Sequence, residues 1–216
     1  GDMQRKTPPR ELLAGPLLIL GCLLPMTGCT GADPSASAED TQPPDVVVFL
    51  VDTLRADWTG PGGFDKDTTP NLSSLAEQSV VFDQASSAAP WTLPSFASMM
   101  TSQHSSTHGC WRFSDSLDDS FPTLAEQLEA AGYHTGAVVG HIFLGKKFGL
   151  AQGFQHYDQD LVTETLGQSH QAITSHTITD KAIAFLDQHA AERPRQPWFL
   201  WAHYFDPHIQ YQHHEG

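Results

Sequence analysis

The sequence predicts an α/β fold built on a mostly parallel β-sheet. Two apolar runs and the pattern between them carry this expectation. "DVVVFLVD" at 45–52 is an unbroken apolar run that ends in Asp, and "PWFLWAHYFD" at 197–206 has the same form. Runs of this kind suit strands buried on both faces, as in parallel sheets. Between them, helical and strand-like segments alternate, which is βαβ organisation. At 216 residues the chain is long enough for one domain with a real core.

The first segment is read as targeting rather than as fold. Arg5, Lys6 and Arg10 form a positive region, and "LLAGPLLILGCLLPMTGC" follows as an apolar stretch holding Pro16 and Pro25. "MTGC" at 26–29 resembles a bacterial lipobox, so Cys29 is expected to carry lipid, with Cys22 as the weaker alternative. Residues 1–29 then form a lipoprotein-type signal, 30–44 a flexible tether, and 45–216 the folded domain. Met3 reads as the true start. The chain stops soon after an apolar segment, and is read as a fragment.

Within the domain, "TPNLSSLAEQS" predicts a helix with Thr69 as cap and Pro70 at its first position. "VVF" at 80–82 predicts a short strand. "APWTLPSFASMMTS" at 89–102 predicts a helix with Pro94 in its first turn, which puts Thr92 at or just before the N-terminus. Such a residue is either an ordinary cap or a nucleophile, because backbone N–H groups and the positive dipole end favour anions there. "PTLAEQLEAAG" at 122–132 predicts a helix ended by Gly132, and "HTGAVVG" at 134–140 a strand. Residues 141–168 read as mostly loop. "ITDKAIAFLDQHAA" at 178–191 is an amphipathic helix that places Ile178, Ala182, Phe185 and Leu186 on one face.

Charge and cysteine content narrow the function. Eleven Lys and Arg against 25 Asp and Glu give a formal net charge of −14, which argues against nucleic acid as the main partner. With Cys22 removed and Cys29 lipidated, Cys110 stands alone, so no disulfide forms within the mature chain. Ligands of parallel sheets bind at the carboxyl ends of the strands. Asp52, His141, Asp206 and His208 all fall at such ends, and Thr92 starts a helix. Carboxylate, hydroxyl and imidazole are ligand types for divalent ions, although these residues alone do not fill a metal site.

In order, "VVVFLVDTLRADWTG", "TTPNLSSLAEQSVVFDQASSAAPWTLPSFASMMTS", "THG", "PTLAEQLEAAGYHTGAVVG", "FGLAQGFQHYD" and "WFLWAHYFDPHIQY" resemble the sulfatase family of the alkaline phosphatase superfamily, over about 44–212. The resemblance implies a three-layer α/β/α sandwich, of which this chain is the N-terminal portion. It also implies a divalent metal ion, calcium or zinc first and manganese or magnesium next.

The family's signature is Cys or Ser, any residue, Pro, Ser, Arg, and its first residue becomes formylglycine. The matching positions are Thr92, Leu93, Pro94, Ser95 and Phe96, so both the modified residue and the Arg are replaced. The family's paired metal-binding aspartates match Asp52 and Thr53. His208 matches a substrate-contacting His; His141 stands roughly where the family has a Lys; Phe143 takes a second His position.

Other branches of the superfamily use a Thr nucleophile that shares an ion with one Asp, and Asp52 with Thr92 resembles that arrangement. The resemblance thus implies a hydrolase of sulfate or phosphate esters with Thr92 and His208 catalytic, Asp52 and Thr92 on the metal, and His141 and His208 on the substrate. The substrate would be a small-molecule, glycan or lipid ester. The protein would sit on the bacterial envelope, held to the membrane by its lipid alone. A transferase of phospho-groups and a sulfatase-fold lipoprotein that has lost the chemistry are the competing readings.

Overall fold

The fold follows from four short strands whose residues leave few alternatives to a parallel sheet. A computed structural model of the chain describes residues 42–163 and 174–208. The expected signal, Cys29 and the tether up to residue 41 lie outside the described residues. Among the described residues no helix is long and apolar enough to cross a membrane.

Strand β1 (Val46–Val51) is β-branched or apolar throughout. It pairs in parallel with β4 (Trp198–Tyr204), from Val46 opposite Phe199 to Val51 opposite Tyr204. On its other side β4 pairs with β2 (His134–Val138), and β2 with β3 (His156–Asp158), all parallel, in the order β1-β4-β2-β3. The three residues of β3 fall in the stretch expected to be loop. A strand this short, with His and Asp at its ends, shows no periodicity to read.

Side chains alternate across β4. Phe199 and Trp201 join one apolar cluster with Leu93, Phe96, Ala97 and Met100 of α2 (Thr92–Thr101). Leu200 and Ala202 join another with Val138 and with Ile178, Ala182 and Phe185 of α5 (Ser175–Glu192). Helices thus cover both faces of the central strands, as a three-layer α/β/α arrangement requires. Gly136 on β2 is set by this packing, since a Cβ there would lie 2.5 Å from the Phe185 ring.

Strand β1 departs from the expected two-faced burial. Val46, Val48 and Leu50 pack inward, whereas Phe49 on the other face is 64% exposed. The reason is lateral: α5 packs over β4 and β2 and stops short of β1.

The remaining helices mostly follow their start and stop signals. Helix α1 (Pro70–Ala76) has Pro70 at its first position and Thr69 as N-cap, but the Thr69 hydroxyl accepts from Gly60 N instead of capping. Residues 80–82 form no strand, and Val80 and Phe82 are each 79% exposed; an apolar run makes a strand only where a ladder partner exists. Helix α3 (Ser105–His108) is one short turn. Helix α4 (Leu124–Ala130) begins with a reciprocal capping box between Thr123 and Glu126, and Gly132 follows its end at φ +92°.

A directional hydrogen-bond chain ties α5 to the start of β2. Arg193 Nη1 lies 3.1 Å from His134 Nε2, His134 Nδ1 lies 2.9 Å from His189 Nδ1, and His189 Nε2 lies 2.9 Å from the Gln196 carbonyl. A guanidinium only donates and a carbonyl only accepts. Both imidazoles are therefore neutral, with His134 protonated on Nδ1 and His189 on Nε2. Both are buried, at 7% and 4% exposure. Burial first, then the facing Arg193, His189 and His156, push the His134 pKa down from 6.5 to about 4, against a smaller upward pull from Glu192.

Between those two values the unfolded chain binds a proton that the folded chain refuses. This contribution to stability is therefore full above pH ~6.5 and is lost as pH falls toward ~4. Urea midpoints are expected to drop between pH 7 and pH 5 by the equivalent of about 2 kcal/mol, and the drop should shrink in His134→Gln. Equal pH dependence in wild type and variant would refute the assignment.

Candidate functional site

The site is built where β1, β4 and the start of α2 meet. Helix α2 opens with Trp91 as N-cap in an extended conformation, without a side-chain cap. Thr92 is its first residue and Pro94 its third, where the absent N–H costs nothing. The Thr92 hydroxyl does not cap the helix. It points across to Asp52, 3.3 Å from Oδ2. Thr92 is thus the first helical residue, and Trp91 the cap residue.

Asp52 follows directly on β1, and its backbone N–H donates to the Tyr204 carbonyl at 2.8 Å, continuing the β1–β4 ladder by one step. Its carboxylate is mostly buried. A second group reaches the same oxygen: His203 Nε2, at 3.4 Å from Oδ2. Burial alone would raise the Asp52 pKa. The His203 hydrogen bond and the nearby His203, His141 and His208 imidazoles outweigh it and hold the carboxyl below its usual range, so it is ionised at neutral pH.

His203 escaped the sequence reading. The signal was present, since it is an imidazole on the same strand face as Phe199 and Trp201, where only apolar side chains were expected. The other two histidines gather nearby. His208 lines the same cavity, of about 430 Å³, as Asp52, Thr53, Trp91, Thr92 and Ser95. Its ring stacks on Phe205 at 4.4 Å. His141 is brought close but not into that lining: it is 2% exposed, its ring lies 4.3 Å from Phe205, and it is 6.2 Å from the His208 ring.

The positions that depart from the signature have definite local roles. Thr53 sits at φ +60°, costly for a β-branched residue, and its hydroxyl donates back to the Asp52 carbonyl at 2.7 Å. It offers no carboxylate to the site. Phe96 is core, 4% exposed, with its ring 5.4 Å from Trp201 and 5.3 Å from His203. Asp206, at the end of the expected last strand, lies two residues past β4. Its carboxylate accepts from the backbone N–H and hydroxyl of both Thr174 and Ser175 at the start of α5, so it anchors that helix.

Two other nucleophile candidates fail on geometry. Ser98 Oγ lies 2.9 Å from His108 Nε2, but the Cys110 N–H donates to His108 Nδ1 at 3.2 Å. Nδ1 is therefore the accepting nitrogen and Nε2 carries the proton, the wrong tautomer for a base acting on Ser98. Cys110 is fully buried, and burial followed by Asp115 raises its thiol pKa, which disfavours the thiolate.

The donor set is of the type that a hard divalent ion takes. A carboxylate and a hydroxyl oxygen converge from β1 and α2, both suited to calcium, magnesium or manganese and acceptable to zinc. Two oxygens are fewer than the four or more ligands such ions take. No group of three or more His, Cys, Asp or Glu able to hold an ion occurs among the described residues.

Comparison with known proteins bears on the family and the fold. A family model described as Sulfatase matches residues 44–215. An arylsulfatase of Clostridium perfringens is 32% identical over 96 residues, which is 44% of this chain and 20% of that protein. An N-acetylglucosamine-6-O-sulfatase of Bacteroides thetaiotaomicron is 25% identical over 186 residues, 80% of this chain and 33% of that one. The crystal structure of a phosphonate monoester hydrolase of Agrobacterium radiobacter superposes with a TM-score of 0.61 at 18% identity, over 77% of this chain and 41% of that one. The chain thus spans between a fifth and about two fifths of the length of these proteins.

Proposed function

The chain belongs to the sulfatase family, and from that premise we propose that it carries the nucleophile of a metal-dependent hydrolase of sulfate or phosphate esters, with Thr92 as the attacking group. The observation that carries the reading is the orientation of one hydroxyl. Thr92 begins α2 yet leaves the helix uncapped and directs its oxygen to the Asp52 carboxylate.

In this reading Asp52 and Thr92 would hold the ion together. When bound, the ion supplies the positive charge that lowers the pKa of a hydroxyl otherwise too weak a nucleophile. Thr92 Oγ1, its proton released to solvent, attacks phosphorus or sulfur, the bond to the ester oxygen breaks, and that oxygen takes up a proton as the alcohol leaves. Water then cleaves the Thr92 ester and restores the hydroxyl. The backbone N–H groups in the first turn of α2 face the charge that develops on the transferred group. His208, on the cavity wall, contacts the ester and offers an imidazole N–H to the departing oxygen.

A Thr nucleophile suits phosphate and phosphonate esters, and the family relationship suits sulfate esters. The organic part would be a small molecule, a glycan or a lipid, as among the sugar sulfatases to which the chain is similar. Acyl chains on Cys29 would hold the protein at the bacterial envelope. Palmitate labelling that disappears in Cys29→Ser is the expected sign, and undiminished labelling would speak against it.

Phe96 favours a second reading, a fold retained without chemistry, because no cation occupies the place of the family's Arg. One experiment on the full-length protein separates the two, the present chain alone being expected to be inactive: kcat/KM on p-nitrophenyl phosphate, phenylphosphonate and sulfate esters, with divalent ions present and melting temperatures alongside. Thr92→Ala is expected to lose about a thousandfold or more while melting within a few degrees of wild type. A variant retaining more than about a tenth of the activity, a barrier change below about 1.4 kcal/mol, contradicts the mechanism. Absence of turnover by the wild type leaves the inactive reading.

A further inference from the structure

The environment of His203 carries an inference about how Asp52 is held. The ring is fully buried, at 0% exposure. Aromatic neighbours fix its plane: Phe96 meets it edge-on at 5.3 Å, Phe205 stacks at 6.2 Å, and Trp201 lies at 6.4 Å. Its position along the chain is fixed as well, because the β1–β4 register places it opposite Leu50, two residues before Asp52. Among the described residues, only Nε2 then meets a polar group, Asp52 Oδ2. Nδ1 is buried and has no hydrogen-bond partner among the described residues.

These facts assign the tautomer. An ionised carboxylate only accepts, so the proton is on Nε2. His203 therefore donates through Nε2. A leucine would fill the same space among Phe96, Trp201 and Phe205 without leaving a polar atom unmatched. What the imidazole adds is a rigid N–H aimed at one oxygen of one carboxylate.

We propose that His203 is the positioning residue of the site: its Nε2–H holds Asp52 Oδ2 against the Thr92 hydroxyl, so that carboxylate and nucleophile are already aligned before ion and substrate arrive. Hydrogen bonds behind a ligating carboxylate orient it and tune its affinity, and the loss of such partners typically weakens metal binding ten- to a hundredfold. The proposal rests on the reading of Asp52 and Thr92 given above.

Three readouts test it. The ring ¹⁵N spectrum of wild type should show His203 as the Nε2–H tautomer. In calorimetric titrations of the full-length protein with Mn²⁺ alone, His203→Leu should bind about ten- to a hundredfold more weakly than wild type. His203→Gln, whose amide N–H reaches a similar point, should bind within a few-fold of wild type. In turnover, His203→Leu should lower kcat with little change in KM, and Gln should restore it.

Equal losses in the Leu and Gln variants, or an Nδ1–H tautomer, overturn the proposal. Should His203→Leu fail to fold, the tautomer and the Gln variant decide, and a Gln variant weakened more than tenfold counts against it. Asp52→Asn separates the two levels. If it leaves Mn²⁺ affinity intact, the metal reading fails, and the His203 proposal then stands or falls on the ring tautomer alone.

Discussion

The parallel pairing of β1 with β4 is the constraint on which the site depends. One register brings three things into place. It seats Asp52 one step beyond the strand end, with its N–H on the Tyr204 carbonyl. It sets His203 beside that carboxylate. It also presents Trp201 to Phe96, so that α2 packs with its first residue facing Asp52. A slip of one residue would turn His203 to the opposite face of the sheet, toward α5, and leave Asp52 without its buried donor. Fold and candidate site are thus linked through one ladder, and the apolar packing of β4 on both faces protects that ladder from slippage.

Much of the architecture was legible in the residues, for identifiable reasons. The strands at 45–52 and 197–206 declared themselves by unbroken apolar runs, and α4 by its Thr123–Glu126 box. The half-open face of β1 could not be read, because it depends on where α5 comes to rest rather than on any property of β1. Strand β3 was too short to show a period, and residues 80–82 had strand composition without a ladder partner. At the site, Asp52 and Thr92 were legible from their places at a strand end and a helix start. Which way the Thr92 hydroxyl turns was not, since capping and catalysis ask for the same residue at the same place. His203 was hidden for the opposite reason: in an apolar strand a single imidazole reads as core until its neighbour across the ladder is known.

The departures from the family signature shape the electrostatics of the cavity. With Phe96 in the core and the Thr53 hydroxyl turned onto the backbone, the described part of the site holds one ionised carboxylate and nearby imidazoles instead of paired carboxylates and a guanidinium. That is a lower charge of both signs. Under the proposed mechanism, Thr92 activation then depends on one carboxylate–hydroxyl pair.

The central claim is that Thr92 Oγ becomes covalently bonded to the transferred group. The most direct measurement is acid quenching during turnover of a fast aryl phosphonate or sulfate ester, followed by peptide mass spectrometry. The account predicts the phosphonyl or sulfuryl group on the peptide containing Thr92, localised to that residue and absent from Thr92→Ala. Turnover with the group on another residue, or pre-steady-state kinetics showing direct water attack with no adduct at any quench time, would contradict it.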